Sequence, residues 1–382
     1  MNKKIYNYSI EDDKETLEQF EHCASQDFVV AAALMPDAHK GYVAPIGSVF
    51  ITKNFIVPSW IGFDIGCGLI AVKIKGKNIF EKIKNNIEKI YKEVHKKIPM
   101  GLGNYNNEKN ITEKTKKEFQ EILKKFSKKS YDKNIFQYLK SASLKNLGTL
   151  GGGNHFIEIS YDKKTKKEVW LIIHSGSRGI GHEVAKKYMI KASESKTNFE
   201  KTFPLDVKSQ LGKEYLNLLD FGLEYALLNR LEMSYKIVEI IENIVGEKLK
   251  IELYTNKNHN HAIFEKGKYI HRKGATPAKK GERGIIPGNM RDGSFLVEGF
   301  GNSKFLSSSS HGAGRILSRK EAREKITMKE FENSMKGIRG TISQKTLDEA
   351  PMAYKNINKV MDAQKKSVKI KKHLIPLINW KG

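Results

Sequence analysis

The sequence predicts an α+β protein, a single domain over residues 1–382 in which β-sheets with glycine-rich loops surround a central cleft and helices flank them. Two observations predict the class. Glycine-rich, weakly charged blocks alternate with lysine-rich blocks at helical spacing, and residues able to carry chemistry are scattered over most of the chain. A third observation favours one interleaved domain over two, because no linker, repeat or low-complexity tract divides the sequence.

Each block has its own pattern. Residues 29–75 read as strands and turns: stretches such as "GSVFITKNFIVPSW" are rich in Val, Ile and Phe and broken by Gly and Pro. From 76 to 145, "IFEKIKNNIEKIYKEVHKKI" and "TEKTKKEFQEILKKFSKK" set apolar residues at helical spacing among lysines, the mark of peripheral amphipathic helices. Residues 147–182 return to strand and glycine turn. A long helix follows at 212–246, with apolar positions that read as buried core, and 251–317 is again strand and loop.

Charge narrows the partners. Lys and Arg number 68 against 43 Asp and Glu, a formal net charge of +25. Such a surplus favours a polyanion, and nucleic acid before a membrane, because no amphipathic anchor stands out. A lysine-biased composition on solvated helix faces would give the same total, so charge supports the nucleic-acid reading without carrying it. No stretch reaches the roughly 18 to 20 apolar residues of a membrane span, and the start "MNKKIYNYSIEDDKETLEQF" lacks a signal-peptide core, which places the expected compartment in the cytoplasm. Cys23 and Cys67 form no CxxC pair, so neither a disulfide framework nor a structural zinc site explains why Cys67 stands in "GFDIGCG".

A metal site does explain it. Asp64 and Cys67 lie three residues apart in that motif, His155 in "GGGNHFIE", His174 in "LIIHSGSRG" and His259 in "NKNHNHAIFE". Each borders a strand-like run beside glycine or asparagine, where a side chain can point into a cleft. A lone histidine in such a place is more often a hydrogen-bonded structural residue, but five candidates in like contexts shift the balance towards metal. Thiolate and imidazole suit zinc, while carboxylate and open positions admit manganese or iron. Five ligands exceed one tetrahedral ion, which points to two ions close together, an arrangement suited to phosphoryl transfer.

A second cluster spans 271–319. It joins Arg272, Lys273, Arg283 and Arg315 to Gly, Ser and Asn, a phosphate-binding composition without a P-loop. His311 stands there among small residues, in "SSSSHGAGR". The stretch "VWLIIHSGSRGIGHEVA" imitates the nucleotide turn of short-chain dehydrogenases, but Ser175 occupies a position where that turn needs glycine, and it comes far too late in the chain.

Taken in order, "MPDAHKGYVAPIGSV", "GFDIGCG", "LGTLGGGNHFIE", "HSGSRG", "HN", "HRKGAT", "HGAGR" and the final "KG" resemble the RtcB family of RNA ligases over about residues 29–382. The resemblance implies a GTP-dependent, manganese-dependent ligase that joins an RNA 3′-phosphate or 2′,3′-cyclic phosphate end to a 5′-hydroxyl end, as in tRNA splicing or RNA repair. It implies that Asp64, Cys67, His155, His174 and His259 hold two Mn²⁺ ions bridged by the Cys67 thiolate, and that His311 takes GMP from GTP. It places Asn154, Phe156, Glu158, Asn260, Asn289, Ser294, Ala313, Gly314, Tyr354 and Lys381 around the nucleotide, and Asp37, Arg178, Arg272 and Lys273 near RNA or phosphate. An activating protein of the archease type is a further implied partner.

The chain also departs from the family pattern. "PGNMRDGS" stands where "PGSMGT" is common, setting Asn289, Arg291 and Asp292 beside the expected nucleotide, and Pro277 in "HRKGATPA" replaces a usual arginine. With a length below that of many members, these departures point to a branch that repairs a particular cleaved tRNA or rRNA. Two rival classes remain: a two-metal RNA phosphodiesterase or phosphatase, if His311 takes no GMP, and a noncatalytic RNA-binding factor.

Overall fold

The computed structural model describes residues 3–11, 13–129 and 131–382. Its main sheet runs in the order Arg283–Pro287, Ser294–Gly299, Val368–Lys381, Phe156–Asp162, Val169–Ser175, Gly68–Lys75 and Lys250–Asn258, antiparallel throughout, with the short strand Arg339–Gly340 parallel to Val368–Lys381. A second sheet has the order Lys4–Asn7, Val29–His39, Ile46–Thr52, Lys268–Lys273 and Asn260–Glu265. Two small ribbons pair Ala275–Pro277 with Ser308–Ser310 and Phe55–Ile56 with Leu205–Asp206.

The run "VWLIIHS" is apolar without alternation because its strand is covered on both faces. Leu171 and Ile173 join Ile157, Ile159 and the helix residues Met233, Ile237 and Ile241 on one side, while Trp170 and Ile172 meet Ile285, Leu296 and Leu374 on the other. Full burial of each such side chain contributes roughly 1.5–3 kcal/mol. The covering element is the 36-residue helix Gln210–Val245. Its start is fixed by Ser209, whose hydroxyl accepts from the Gly212 N–H, and its end by Gly246 at φ 69°. The N-terminal half of this helix, with Tyr215, Leu218, Phe221 and Tyr225, forms a separate core with the helices Glu113–Phe126, Lys133–Asn146 and Gly179–Ser193.

The blocks read from sequence reappear with small shifts. Among the described residues the 76–145 block holds four α-helices, Ile79–Asn85, Ile87–Lys97, Glu113–Phe126 and Lys133–Asn146, and the long helix runs 210–245. Within 29–75 one helical turn, Pro58–Ile61, interrupts the strands, opened by its proline and closed by Gly62 at φ 81°. Within 147–182 the helix Gly179–Ser193 begins before the expected boundary. Among the described residues no helix is long and apolar enough to cross a membrane.

Candidate active site

"GFDIGCG" is a loop tied down by its backbone. The Cys67 N–H donates to Asp64 O at 3.1 Å, closing a tight turn through Gly66 at φ 72°, and Gly66 N–H donates to Asn260 O at 2.9 Å. Cys67 O accepts from the His259 N–H at 2.7 Å, so the loop and the "NHN" segment hold each other. Strand Val169–Ser175 places His174 beside them, and the turn before Phe156–Asp162 places His155.

These five side chains converge. Cys67 Sγ lies 3.4 Å from His155 Nε2 and 3.2 Å from His174 Nε2; His174 Nε2 is 3.0 Å from His259 Nε2, and His155 Nε2 is 2.9 Å from Asp64 Oδ2. Two three-residue groups result, Asp64–Cys67–His155 and Cys67–His174–His259, with donor atoms within 4.8 Å of one another in each. Cys67 belongs to both. The separations lie at or a few tenths of an ångström below the roughly 3.3 to 3.6 Å edges of a tetrahedron of nitrogen and sulfur ligands. His155 Nδ1 faces Leu150 O at 3.0 Å and His174 Nδ1 faces Asn154 O at 3.2 Å, which leaves the Nε2 lone pairs turned inward.

The electrostatics fit a cation there. Burial and the neighbouring imidazoles hold His174 and His259 well below the ordinary histidine range, so both are neutral, the form that ligates metal. Burial opposes the charge on Asp64, yet His155 and Arg178 outweigh it and keep its carboxyl well below the usual range. Burial and then the Asp64 carboxylate push the Cys67 thiol well above its ordinary value, so a metal cation is what would release its proton. The residues present therefore suit a pair of ions that share Cys67.

Asn229 and Arg230, polar residues of the long helix that the sequence analysis did not single out, brace this cluster from beneath. Arg230 donates to Gly66 O at 3.0 Å, Ser175 O at 2.8 Å, Asn256 Oδ1 at 2.8 Å and Asn258 Oδ1 at 2.7 Å. Gly66 precedes Cys67, Ser175 follows His174 and Asn258 precedes His259. Asn229 accepts from the Gly148 N–H at 2.7 Å and donates to Thr149 O and Gly176 O, each at 3.1 Å. The helix carries many other polar residues, so no local signal in the sequence singles out these two.

His311 stands next to the cluster, its ring centroid 4.7 Å from that of His259. Asp37, fully buried on Val29–His39, accepts through Oδ2 from His311 Nδ1 at 2.7 Å and from the His311 backbone N–H at 3.0 Å. Burial disfavours the Asp37 charge, but the His311 contact dominates and holds its carboxyl below the ordinary range. Gly314 follows with φ 74°, and a Cβ there would fall 2.1 Å from Asp37 O. His311, Asp64, Cys67, His174 and His259 line one cleft of about 1160 Å³, with His155 buried directly behind Asp64.

A family model described as "tRNA-splicing ligase RtcB" matches residues 19–382. The chain belongs to the RtcB family. It is 29% identical to the RNA-splicing ligase RtcB of Escherichia coli K12 over 408 aligned residues, covering 99% of this chain and 97% of that one. It is also 29% identical to the tRNA-splicing ligase RtcB of Nanoarchaeum equitans, over 86% of this chain and 83% of that one. With RNA-splicing ligase RtcB homolog 1 of Entamoeba dispar it shares 28% identity, over 95% and 81% of the two chains.

Most positions carried over from the RtcB pattern come together. Asn154, Phe156, Glu158, Asn260, Lys273, Asn289, Ala313, Gly314, Tyr354 and Lys381 line the same cleft as His311. Lys381 Nζ donates to Glu349 Oε2 at 2.7 Å and lies 5.4 Å from the Phe156 ring centre. The Tyr354 hydroxyl also donates to Glu349, and Arg319 reaches its other oxygen at 2.8 Å. Glu349 is thus a buried hub that sequence reading missed. Burial disfavours its charge, but Lys381, Arg319 and Arg315 outweigh that and keep it ionised below the usual glutamate range.

Besides Asp37 and His155, three more RtcB positions sit behind the cleft wall. Arg272 is fully buried and donates to Ser308 Oγ at 2.9 Å, with His261 Nε2 at 3.2 Å. Ser294 is buried in the main sheet opposite Leu374. Arg178, at the strained φ 60°, turns its guanidinium towards Gly151, with Nη1 3.3 Å from His155 Nδ1. The departure "PGNMRDGS" folds on itself: Asn289 Oδ1 accepts from the Arg291 and Asp292 N–H groups at 3.0 and 2.9 Å, and Arg291 pairs with Asp292 at 2.7 Å. Pro277 lies opposite Ser308 in a small ribbon.

Proposed function

We propose that this chain, as one catalytic domain, is a GTP-dependent RNA ligase that joins 3′-phosphate or 2′,3′-cyclic phosphate ends to 5′-hydroxyl ends through guanylylated His311. Family membership supports the ligase class, and the single observation that supports the covalent step is the Asp37–His311 contact. With Nδ1–H donated to Asp37, the lone pair of His311 is on Nε2. Neutral Nε2 attacks the α-phosphorus of GTP; a P–N bond forms, the α–β P–O bond breaks and pyrophosphate leaves. Asp37 keeps the Nδ1 proton and stabilises the charge that develops on the ring. An oxygen of the RNA 3′-phosphate then takes the GMP, breaking the P–N bond, and the 5′-hydroxyl attacks the RNA phosphorus, expels GMP and gives its proton to solvent. A cyclic end is first opened by water.

Two Mn²⁺ held by Asp64, Cys67, His155, His174 and His259 would neutralise phosphate charge as Lewis acids. Glu158 and Lys381, in the same cleft, suit a guanine edge, and Arg315 and Arg319 suit phosphate. The proposed setting is the cytoplasm, with repair of a cleaved tRNA or rRNA as the task and an archease-type protein as activator.

The test is incubation with α-³²P-GTP and Mn²⁺ beside His311→Ala. A labelled band on a denaturing gel that vanishes in the variant is expected. No band from wild-type protein loaded with Mn²⁺, with ATP also tried, would move the reading to a two-metal phosphodiesterase.

A further inference from the structure

The cleft continues past Asp64 into a region that neither the ligand set nor the nucleotide reading uses. Tyr42, Phe63, His182, Lys186, Phe199 and Glu200 line it. Phe63 stacks on His182 with ring centroids 4.9 Å apart and planes at 23°, and Tyr42 stands edge-on to Phe63 at 6.0 Å and 88°. Tyr42 is 76% exposed. A tyrosine that open, held by a second aromatic inside a cleft, is a surface waiting for a planar ligand. His182 and Lys186 lie one turn apart on the helix Gly179–Ser193 and are both exposed, so they share a face. Phe63 is the covalent neighbour of Asp64, which sets the platform one residue from the ligand cluster.

We propose that Tyr42, backed by Phe63 and His182, stacks a nucleobase of the RNA beside the break, with Lys186 facing the adjoining phosphate. The inference rests on the ligase reading and adds to it a binding site for the RNA itself. Single-stranded RNA ends are held by stacking on aromatic side chains next to cationic ones. Stacking tolerates every base, which suits an enzyme that must accept ends by their phosphate and hydroxyl chemistry. The +25 net charge favours the same occupant over an apolar peptide.

The experiment compares wild type, Tyr42→Phe and Tyr42→Ala in ligation of RNA halves, with guanylylation by α-³²P-GTP in the absence of RNA measuring the nucleotide half separately. Tyr42→Ala is expected to raise KM for RNA by about 5- to 150-fold, the range for one lost stack, while Tyr42→Phe stays within about 2-fold of wild type and guanylylation is unchanged in both. An abasic nucleotide placed first on either side of the break identifies the stacked base: it should weaken wild type on one side and add nothing to Tyr42→Ala on that side. An unchanged KM in Tyr42→Ala, equal losses in both variants, or abasic penalties that multiply fully with the substitution would overturn the proposal. If wild type takes no GMP, the ligase reading fails instead, and quenching of a 2-aminopurine-ended 3′-phosphate oligonucleotide still tests the stack, since it must be present in wild type and lost in Tyr42→Ala.

Discussion

Arg230→Met should loosen the ligand cluster from below. The guanidinium is fully buried, and burial lowers its pKa to about 10 against the pull of Cys67 and Asp64. It nonetheless makes four hydrogen bonds of 2.7 to 3.0 Å. A charged hydrogen bond contributes about 1.5–3 kcal/mol net, and the cost of burying the charge offsets part of that sum. Methionine fills the volume but leaves the buried carbonyls of Gly66 and Ser175 and the half-buried Asn256 and Asn258 side chains without this donor, so a net loss of about 3–5 kcal/mol is expected, a large part of a typical stability of about 5–15 kcal/mol. Because the acceptors adjoin Cys67, His174 and His259, Mn²⁺ affinity should fall as well, by about 10- to 100-fold. Urea unfolding read by circular dichroism gives the first quantity and titration calorimetry with Mn²⁺ the second. Arg230→Lys keeps the charge without the fork and should recover only part of each. A loss under about 1 kcal/mol with unaltered Mn²⁺ affinity would refute the bracing role.

Three other outcomes are expected. Glu158 is 2% exposed, and burial raises its pKa to about 7 although Ser160 and Asn379 donate to it. The folded state therefore holds this proton more tightly than the unfolded one, and stability falls as pH rises from about 4.5 to 7, by at most about 3 kcal/mol. Glu158→Gln should flatten that slope, which urea midpoints at pH 5 and pH 8 would reveal; an undiminished slope counts against it. Asp37→Asn keeps the shape but not the charge or the Nδ1 tautomer, so guanylylation should drop by about 10²- to 10⁴-fold with Mn²⁺ binding retained, measured by label transfer from α-³²P-GTP; a drop below threefold would contradict the assigned role. Chelation should remove about 2.7 kcal/mol per site occupied at 100 times its Kd, lowering the melting temperature by several degrees in a scan, with recovery on adding Mn²⁺; no shift would argue against a resident pair.

What was legible in the sequence was whatever a short motif carries. Asp64, Cys67, His155, His174 and His259 each announced themselves by glycine or asparagine neighbours, because a side chain that must reach a cleft needs a loop that turns sharply. Lys381 was legible only through resemblance: its burial depends on the strand Val368–Lys381 lying inside the sheet, which no local pattern declares. Arg272 looked like a phosphate ligand, yet its strand turns it into the interior, since alternation tells that two faces exist and not which one is the cleft. Glu349 and Asn229–Arg230 stayed hidden because their partners come from distant segments, and the Tyr42 platform because its rings meet only in the fold.

The strand Val368–Lys381 sits between Ser294–Gly299 and Phe156–Asp162. Until it docks, both neighbours present open edges that invite pairing with other chains. Closing the sheet also requires segments far apart in sequence to meet, as do Asp37 and His311, 274 positions apart. Assembly of this kind is slow, because the entropy of closing large loops must be spent before any contact returns it. A half-made or nicked molecule would lack Lys381 in the cleft and risk sticking to its neighbours, so production of active protein should depend on chaperones and on growth temperature more than on the final stability of the native state.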